Sequence, residues 1–341
     1  MAKIVYGFGS SHGPLLSTPP EQWDLRATDD RKNPHHPYRG EVYNFPDLVD
    51  RRKGETTDFI KEMGLEARTA RHERNQRALD ILGQKLAEVA PDIVVVVGDD
   101  QHEWFYDDVQ PSFTVYCADQ VVNTAIDQEK FKSKSPGIQL AMAASQPPED
   151  HTYPVPQGLA HAIIEQAIED EFDVAISAKQ RANERGTIGV GHAVGFIYRR
   201  ILKDRPIPVV PILLNTYFPP NQPTAKRCYE FGKSIGRAIA GWNGANAEKR
   251  IAICASGGIS HFVIDEDFDN RMLTAIKNRD TKTIFAEPHN MFRSGTSETK
   301  NWITVAGILD QTKLQMNLID YVPAYRSEGG TGCGMAFAVW E

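Results

Sequence analysis

Two histidines stand just past short apolar runs. Ile251-Ala252-Ile253-Cys254-Ala255 leads into Ser256-Gly257-Gly258-Ile259-Ser260-His261, and Ile4-Val5-Tyr6-Gly7-Phe8-Gly9 leads into Ser10-Ser11-His12-Gly13-Pro14. A third apolar run, 93–97, ends in Gly98-Asp99-Asp100-Gln101-His102-Glu103. His192 follows Thr187-Ile188-Gly189-Val190-Gly191, and Glu298 follows Gly295-Thr296-Ser297 ahead of a helical pattern. Imidazole titrates near neutral pH, so it can move protons or bind a metal as a neutral donor. Two imidazoles and one carboxylate on one face of an ion leave coordination positions open, the arrangement suited to non-haem Fe(II) and O₂. Each residue also has an ordinary use. A strand-end histidine is commonly just hydrogen-bonded, a carboxylate at a helix start answers the helix dipole, and an Asp pair solvates a turn. Their convergence on one edge of one sheet favours a site.

Such convergence needs a sheet whose strands end side by side. Five consecutive β-branched residues at 93–97 read as a central strand buried on both faces. Further strands are expected at 3–8, 112–117, 172–176, 208–214, 251–255, 314–321 and 334–340. Helices are expected at 65–89, with Ala78, Leu79, Leu82, Leu86 and Val89 on one face and Pro91 as the stop, and at 159–168, 194–201, 223–240, 267–276 and 301–309. The alternation predicts an α/β fold. Its central sheet is largely parallel and flanked by helices, with the active site at the strand C-terminal ends. No repeat or clean linker divides the chain, so residues 1–341 are expected to form a single catalytic domain. Residues 13–60, rich in Pro and aromatics, are expected to be a long ordered loop serving as a lid over the site, and 128–150 a polar loop.

The bulk numbers narrow the partners. The chain has 341 residues, 41% of them hydrophobic, which is enough for a sizeable core. A net charge of −7 argues against nucleic acid, whose phosphates call for basic excess. Cys117, Cys228, Cys254 and Cys333 form no C-x-x-C, and buried thiols are expected. Neither a signal peptide nor a membrane span is legible, so the protein is expected to be cytoplasmic. Gly7-Phe8-Gly9 lacks the third glycine of a dinucleotide fingerprint, and no Walker A, G-x-S-x-G or H-E-x-x-H motif is present. His35-His36 lies in a Pro-rich stretch and reads as a surface or lid feature.

These residues carry a resemblance. The chain resembles the class III extradiol ring-cleavage dioxygenases, in the superfamily of the catalytic beta subunit of protocatechuate 4,5-dioxygenase, and is most similar to the single-chain 3-O-methylgallate dioxygenase type. The resemblance spans nearly the whole chain. It rests on the motifs around His12 and His261, on Val94-Val95-Val96-Val97-Gly98-Asp99-Asp100-Gln101 and on Ala225-Lys226-Arg227-Cys228. It implies that His12 and Glu298 are iron ligands, that His261 is the acid/base beside them, and that His192 is a further active-site histidine. The family's second histidine ligand falls on Gln101 here. Either Gln101 takes that place in a working variant site, or His102 or His36 supplies the imidazole, or the chemistry has changed.

The resemblance further implies Fe(II) as cofactor, with O₂ and a catechol- or gallate-type aromatic acid as substrates. Arg39 and Arg293 are candidate partners for the substrate carboxylate. Residues 13–60 would supply in cis the cap that a small subunit supplies elsewhere, so no obligatory small subunit is expected, and a homodimer is the default assembly. Two alternatives belong to other classes: a metal-binding non-dioxygenase with a redox or interaction role on the same scaffold, and a metal-dependent hydrolase.

Overall fold

The computed structural model describes residues 2–181, 189–243 and 248–341; Thr187 and Ile188 of the glycine-punctuated segment lie outside them. The first strand is β1 (Lys3–Ser10). The segment 13–60 is not the irregular loop expected. It folds into α1 (Asp24–Lys32), a hairpin of β2 (His36–Tyr38) and β3 (Glu41–Tyr43), α2 (Phe45–Arg51) and the start of α3 (Phe59–Glu62). The hairpin turns at Arg39-Gly40, both at positive φ, which matches the twist of a two-residue connection. The side chain of Asn44 accepts from Asp47 N at 2.9 Å and starts α2.

The long helix α4 (Leu65–Val89) falls on the expected residues, and Ala90 closes it in the left-handed conformation. β4 (Ile93–Asp99) and β5 (Phe113–Tyr116) follow, then a small ladder of β6 (Gln120–Asn123) with β7 (His151–Pro154). Between the two ladder strands lie the short helices α5 (Gln128–Lys132) and α6 (Pro136–Met142), where a loop was expected. α7 (Gln157–Glu169) leads to β8 (Ala175–Ser177), a shorter and later strand than the pattern suggested. α8 (His192–Phe196) continues as a π-helical turn over Ile197–Ile201.

The remaining elements are β9 (Val209–Leu214), α9 (Ala225–Gly241), β10 (Arg250–Ser256), β11 (His261–Val263), α10 (Glu266–Lys277), α11 (Thr281–Ala286), α12 (Thr299–Leu309), β12 (Met316–Tyr325) and β13 (Thr331–Trp340).

The main sheet runs β11-β13-β1-β10-β4-β9-β5-β8, with β12 also on β13. Its centre, β1-β10-β4-β9, is parallel; β13 and β5 join antiparallel, so the sheet is mixed around a parallel middle. Both faces are covered. Ile93, Val95 and Val97 pack with α7, α9 and α12 residues, while Val94 and Val96 pack with α4 and the α8 region. That two-sided burial is why the strand reads as an unbroken apolar run. All four cysteines are buried and free. Among the described residues no helix is long and apolar enough to cross a membrane.

Candidate active site

β1, β10 and β4 are neighbours and parallel, so their C-terminal ends open at one edge, and α12 begins there. The first turn of α12 is bolted to that edge. Asn301 Nδ2 donates to Asp99 Oδ1 (3.0 Å) and to Ser256 O (2.8 Å), and Trp302 Nε1 donates to Gly257 O (2.9 Å). The close approach explains the glycine: a Cβ on Gly257 would lie 2.9 Å from Asn301 Nδ2 and 3.1 Å from Glu298 Cβ. Glu298, just ahead of α12, is thereby pressed onto the strand ends.

His12, Asp99, His192 and Glu298 come together with their donor atoms all within 4.8 Å of one another. The proton positions on His12 follow from its neighbour. The single hydroxyl proton of Ser256 goes to Ala193 O (2.6 Å), so Ser256 Oγ accepts from His12 Nδ1–H (3.0 Å). His12 Nε2 then carries a lone pair. It is buried, has no hydrogen-bond partner, and lies 3.1 Å from Glu298 Oε2. Two electron-rich atoms at that separation call for a cation between or beside them. His192 is held the same way. Its Nδ1 lies 2.9 Å from Glu103 Oε2 and its backbone N–H donates to Glu103 Oε1 (2.6 Å), leaving Nε2 toward Asp99 Oδ2 at 4.0 Å. A carboxylate behind a ligating imidazole is a standard way to fix its tautomer. The donor set of two imidazoles and two carboxylates fits a divalent transition-metal ion.

Glu298 gathers further donors: Gly258 N–H on Oε2 (2.8 Å), and Gln101 Nε2 and His261 Nε2 on Oε1 (3.0 and 2.9 Å). Burial opposes its charge, but His261 is foremost in countering burial, and the carboxyl is held well below the usual carboxylate range. Burial and then Glu298 push Asp99 up to about 6. Burial pulls His192 down, yet Glu103, Asp99 and Glu298 together raise it to about 10; an ion taken up at Nε2 would displace that proton.

The expected residues therefore sort clearly. His12, Glu298, His261 and His192 share one place. Gln101 reaches it too, but as a donor: its amide nitrogen faces Glu298 Oε1 and, at 3.3 Å, Asp99 Oδ2. His102, at positive φ, turns away, stacks on Phe218 at 3.7 Å and meets Gln110 at 2.6 Å. His36 is buried against Phe45 with Nε2 on Asp30 O at 2.9 Å, outside the cluster. Arg39 is bound to Asp265 and Asp267 and lines, with Arg293, a different cavity. Glu103 and Ser256, which orient the two imidazoles, were not singled out by type or spacing. Asp100 is the turn-former: it accepts from the backbone of Trp104 at 2.8 Å, and burial, then Glu103, push it up to about 7.

The cluster opens into a cavity of about 360 Å³ lined by His12, Gln101, His192, His261 and Glu298, by apolar Ile138, Phe196 and Phe262, and by Arg26 and Arg326.

Residues 61–334 match the family model described as catalytic LigB subunit of aromatic ring-opening dioxygenase. The chain is also similar to proteins named 2,3-dihydroxyphenylpropionate/2,3-dihydroxicinnamic acid 1,2-dioxygenase. That of Cupriavidus necator is 29% identical over 171 residues, 50% of this chain and 44% of the relative. That of Burkholderia vietnamiensis is 28% identical over 189 residues, 55% and 48% respectively. That of Rhodococcus jostii is 25% identical over 176 residues, 52% and 45%. The matched stretch thus spans less than half the length of each of these relatives.

Proposed function

The chain belongs to the family of catalytic LigB subunits of aromatic ring-opening dioxygenases, and from that premise we propose that it is an Fe(II)-dependent extradiol dioxygenase opening the ring of a catechol-type aromatic acid with O₂. The observation that carries this reading is the cluster of His12, Asp99, His192 and Glu298 within 4.8 Å, of which His12, His192 and Glu298 line a partly apolar cavity large enough for one aromatic ring. His12, His192 and Glu298 would hold the ion, with Asp99 beside them; His192 would supply the second imidazole where the resemblance falls on Gln101. Such an ion would supply open positions for the two adjacent oxygens of a catechol and for O₂, and a route for electrons between them.

The protein's own groups do the rest. His261, whose Nε2 faces Glu298 Oε1 and whose Nδ1 has no partner, takes a hydroxyl proton of the substrate and returns a proton as the ring opens. Gln101 steadies Glu298 through its amide. Phe196 and Phe262 flank the ring, and Ile138 keeps water from it. The segment 13–60 forms the cap in cis, since Gly13, Pro14 and Arg26 belong to the cavity wall.

Oxygen uptake by protein reconstituted anaerobically with Fe(II) tests the reading, scanned over 3,4-dihydroxybenzoate, gallate, 3-O-methylgallate and 2,3-dihydroxyphenylpropionate. Stoichiometric uptake with one of them is expected. Absence of uptake with every one of them, in protein that holds its metal, would favour the metal-binding, non-dioxygenase reading instead. Gln101, a neutral donor where the resemblance places an imidazole, is the residue that gives that second reading weight.

A further inference from the structure

The proposed substrate is an anion, and the two arginines that the sequence offered for it are elsewhere: Arg39 is bidentate on Asp265 (2.8 and 2.9 Å) and reaches Asp267 (2.8 Å), and Arg293 lines the same separate cavity. The cavity beside the metal cluster has its own two guanidinium groups. Arg326 is already neutralised. Its Nε and Nη2 sit on Asp30 Oδ2 and Oδ1 at 2.6 and 2.9 Å, and both residues are buried. Arg26 is different. It has no ion pair and no side-chain hydrogen bond among the described residues, and its Nε is buried without a partner. Arginine stays charged at any ordinary pH and presents its donors as a planar fork that matches a carboxylate. A half-buried guanidinium that lines a cavity and has no ion pair among the described residues is suited to receive an anion.

The side chain is also held in place. Gly137 of α6 packs against its stem so closely that a Cβ there would lie 2.7 Å from Arg26 Cδ and 3.1 Å from Cγ. Burial, and then the neighbouring Arg326, weaken the hold of Arg26 on its proton, while Asp30 and Asp29 oppose that. A bound carboxylate would relieve both disfavouring effects.

We propose that Arg26 is the specificity-determining residue of the site, pairing with the carboxylate of an aromatic acid whose adjacent hydroxyls face His12, His192 and Glu298. The inference rests on the ring-opening reading for the orientation of the ring; the anion site itself stands on the unpaired guanidinium. It also gives the segment 13–60 a chemical task beyond covering the site, because α1 contributes the charge that selects the substrate.

The test compares an acid with its uncharged ester on the Fe(II)-loaded protein, using 2,3-dihydroxyphenylpropionate and 3,4-dihydroxybenzoate against their methyl esters. The ratio of kcat/KM for acid over ester should fall by roughly 10- to 100-fold in Arg26→Met, the worth of one charge-assisted pair, mainly through KM. Arg26→Lys should restore part of it. Arg39→Gln, in the other cavity, should leave the ratio at the wild-type value. An unchanged ratio in Arg26→Met, or an equal fall in Arg39→Gln, would overturn the assignment. Should Arg26→Met not fold, Gly137→Ala, which displaces the same side chain, is read in its place by the same ratio. If the wild-type protein turns over none of these compounds, ring opening fails but Arg26 is still judged. Calorimetric titration of acid and ester then decides: a preference for the acid that is lost in Arg26→Met supports the site, and equal affinities overturn it.

Discussion

At the scale of single residues, the proposed centre depends on two imidazoles whose Nδ1 protons are already engaged. His12 gives its proton to Ser256 and His192 gives its own to Glu103, so both rings turn Nε2 inward. His12→Ala and Glu298→Ala are each expected to abolish metal retention, measured by elemental analysis of the purified variants; full occupancy in either would refute the ligand assignment. Glu103→Gln keeps the shape but removes the carboxylate behind His192, and affinity for Fe(II) should fall by about 10- to 100-fold in a chelator competition. His261→Ala should hold its metal and lose turnover by roughly 10²- to 10⁴-fold. His12, Glu298 and His261 were legible because each stands beside glycine at a strand end or a helix start. Glu103 and Ser256 were not, because the group that receives an imidazole proton is decided by tertiary contact, which no local pattern encodes. Nor does local sequence distinguish Arg26 from Arg39: one is left unpaired and the other neutralised by aspartates more than two hundred positions away.

At the scale of elements, the legible parts were the regular ones. The 93–97 run and the 65–89 helix declare themselves through burial on two faces and on one stripe. α1, the β2–β3 hairpin and α2 do not, since they are short and take their stability from outside themselves. α10 shows how such a junction responds to pH. Asp269 is buried between β12 and the turn that precedes β11, accepting from Tyr321 Oη at 2.5 Å and Ser260 Oγ at 2.7 Å. Burial pushes its carboxyl from 3.8 up to about 8. The folded protein therefore keeps a proton that the unfolded chain has released, and the fold weakens as pH rises through that window. Asp269→Asn cannot release a proton, so its melting temperature should gain on the wild type between about pH 4 and about pH 8. Parallel curves across that range would show that Asp269 is not the group responsible.

At the scale of the whole molecule, the segment 13–60 is tied to the far end of the chain. Asp30 takes Arg326 and Thr331, Arg31 takes Glu328 at 2.7 Å, and Arg52 donates to Gly330 O at 3.1 Å. Asp30→Ala would strand Arg326 as a buried unpaired charge, a loss of about 3–5 kcal/mol by denaturant titration, with faster proteolysis within 13–60. The same far end holds β13, one strand that serves two partners along one side. Its later half pairs with β1, setting Ser10 opposite Phe337; its earlier half pairs with β11, setting His261 opposite Cys333. The interval between His261 and the strand that leads to His12 is thus engraved on a single piece of backbone, as graduations are on a caliper. One residue inserted within 333–337 would lengthen that scale by about 3.4 Å and turn its later side chains to the opposite face.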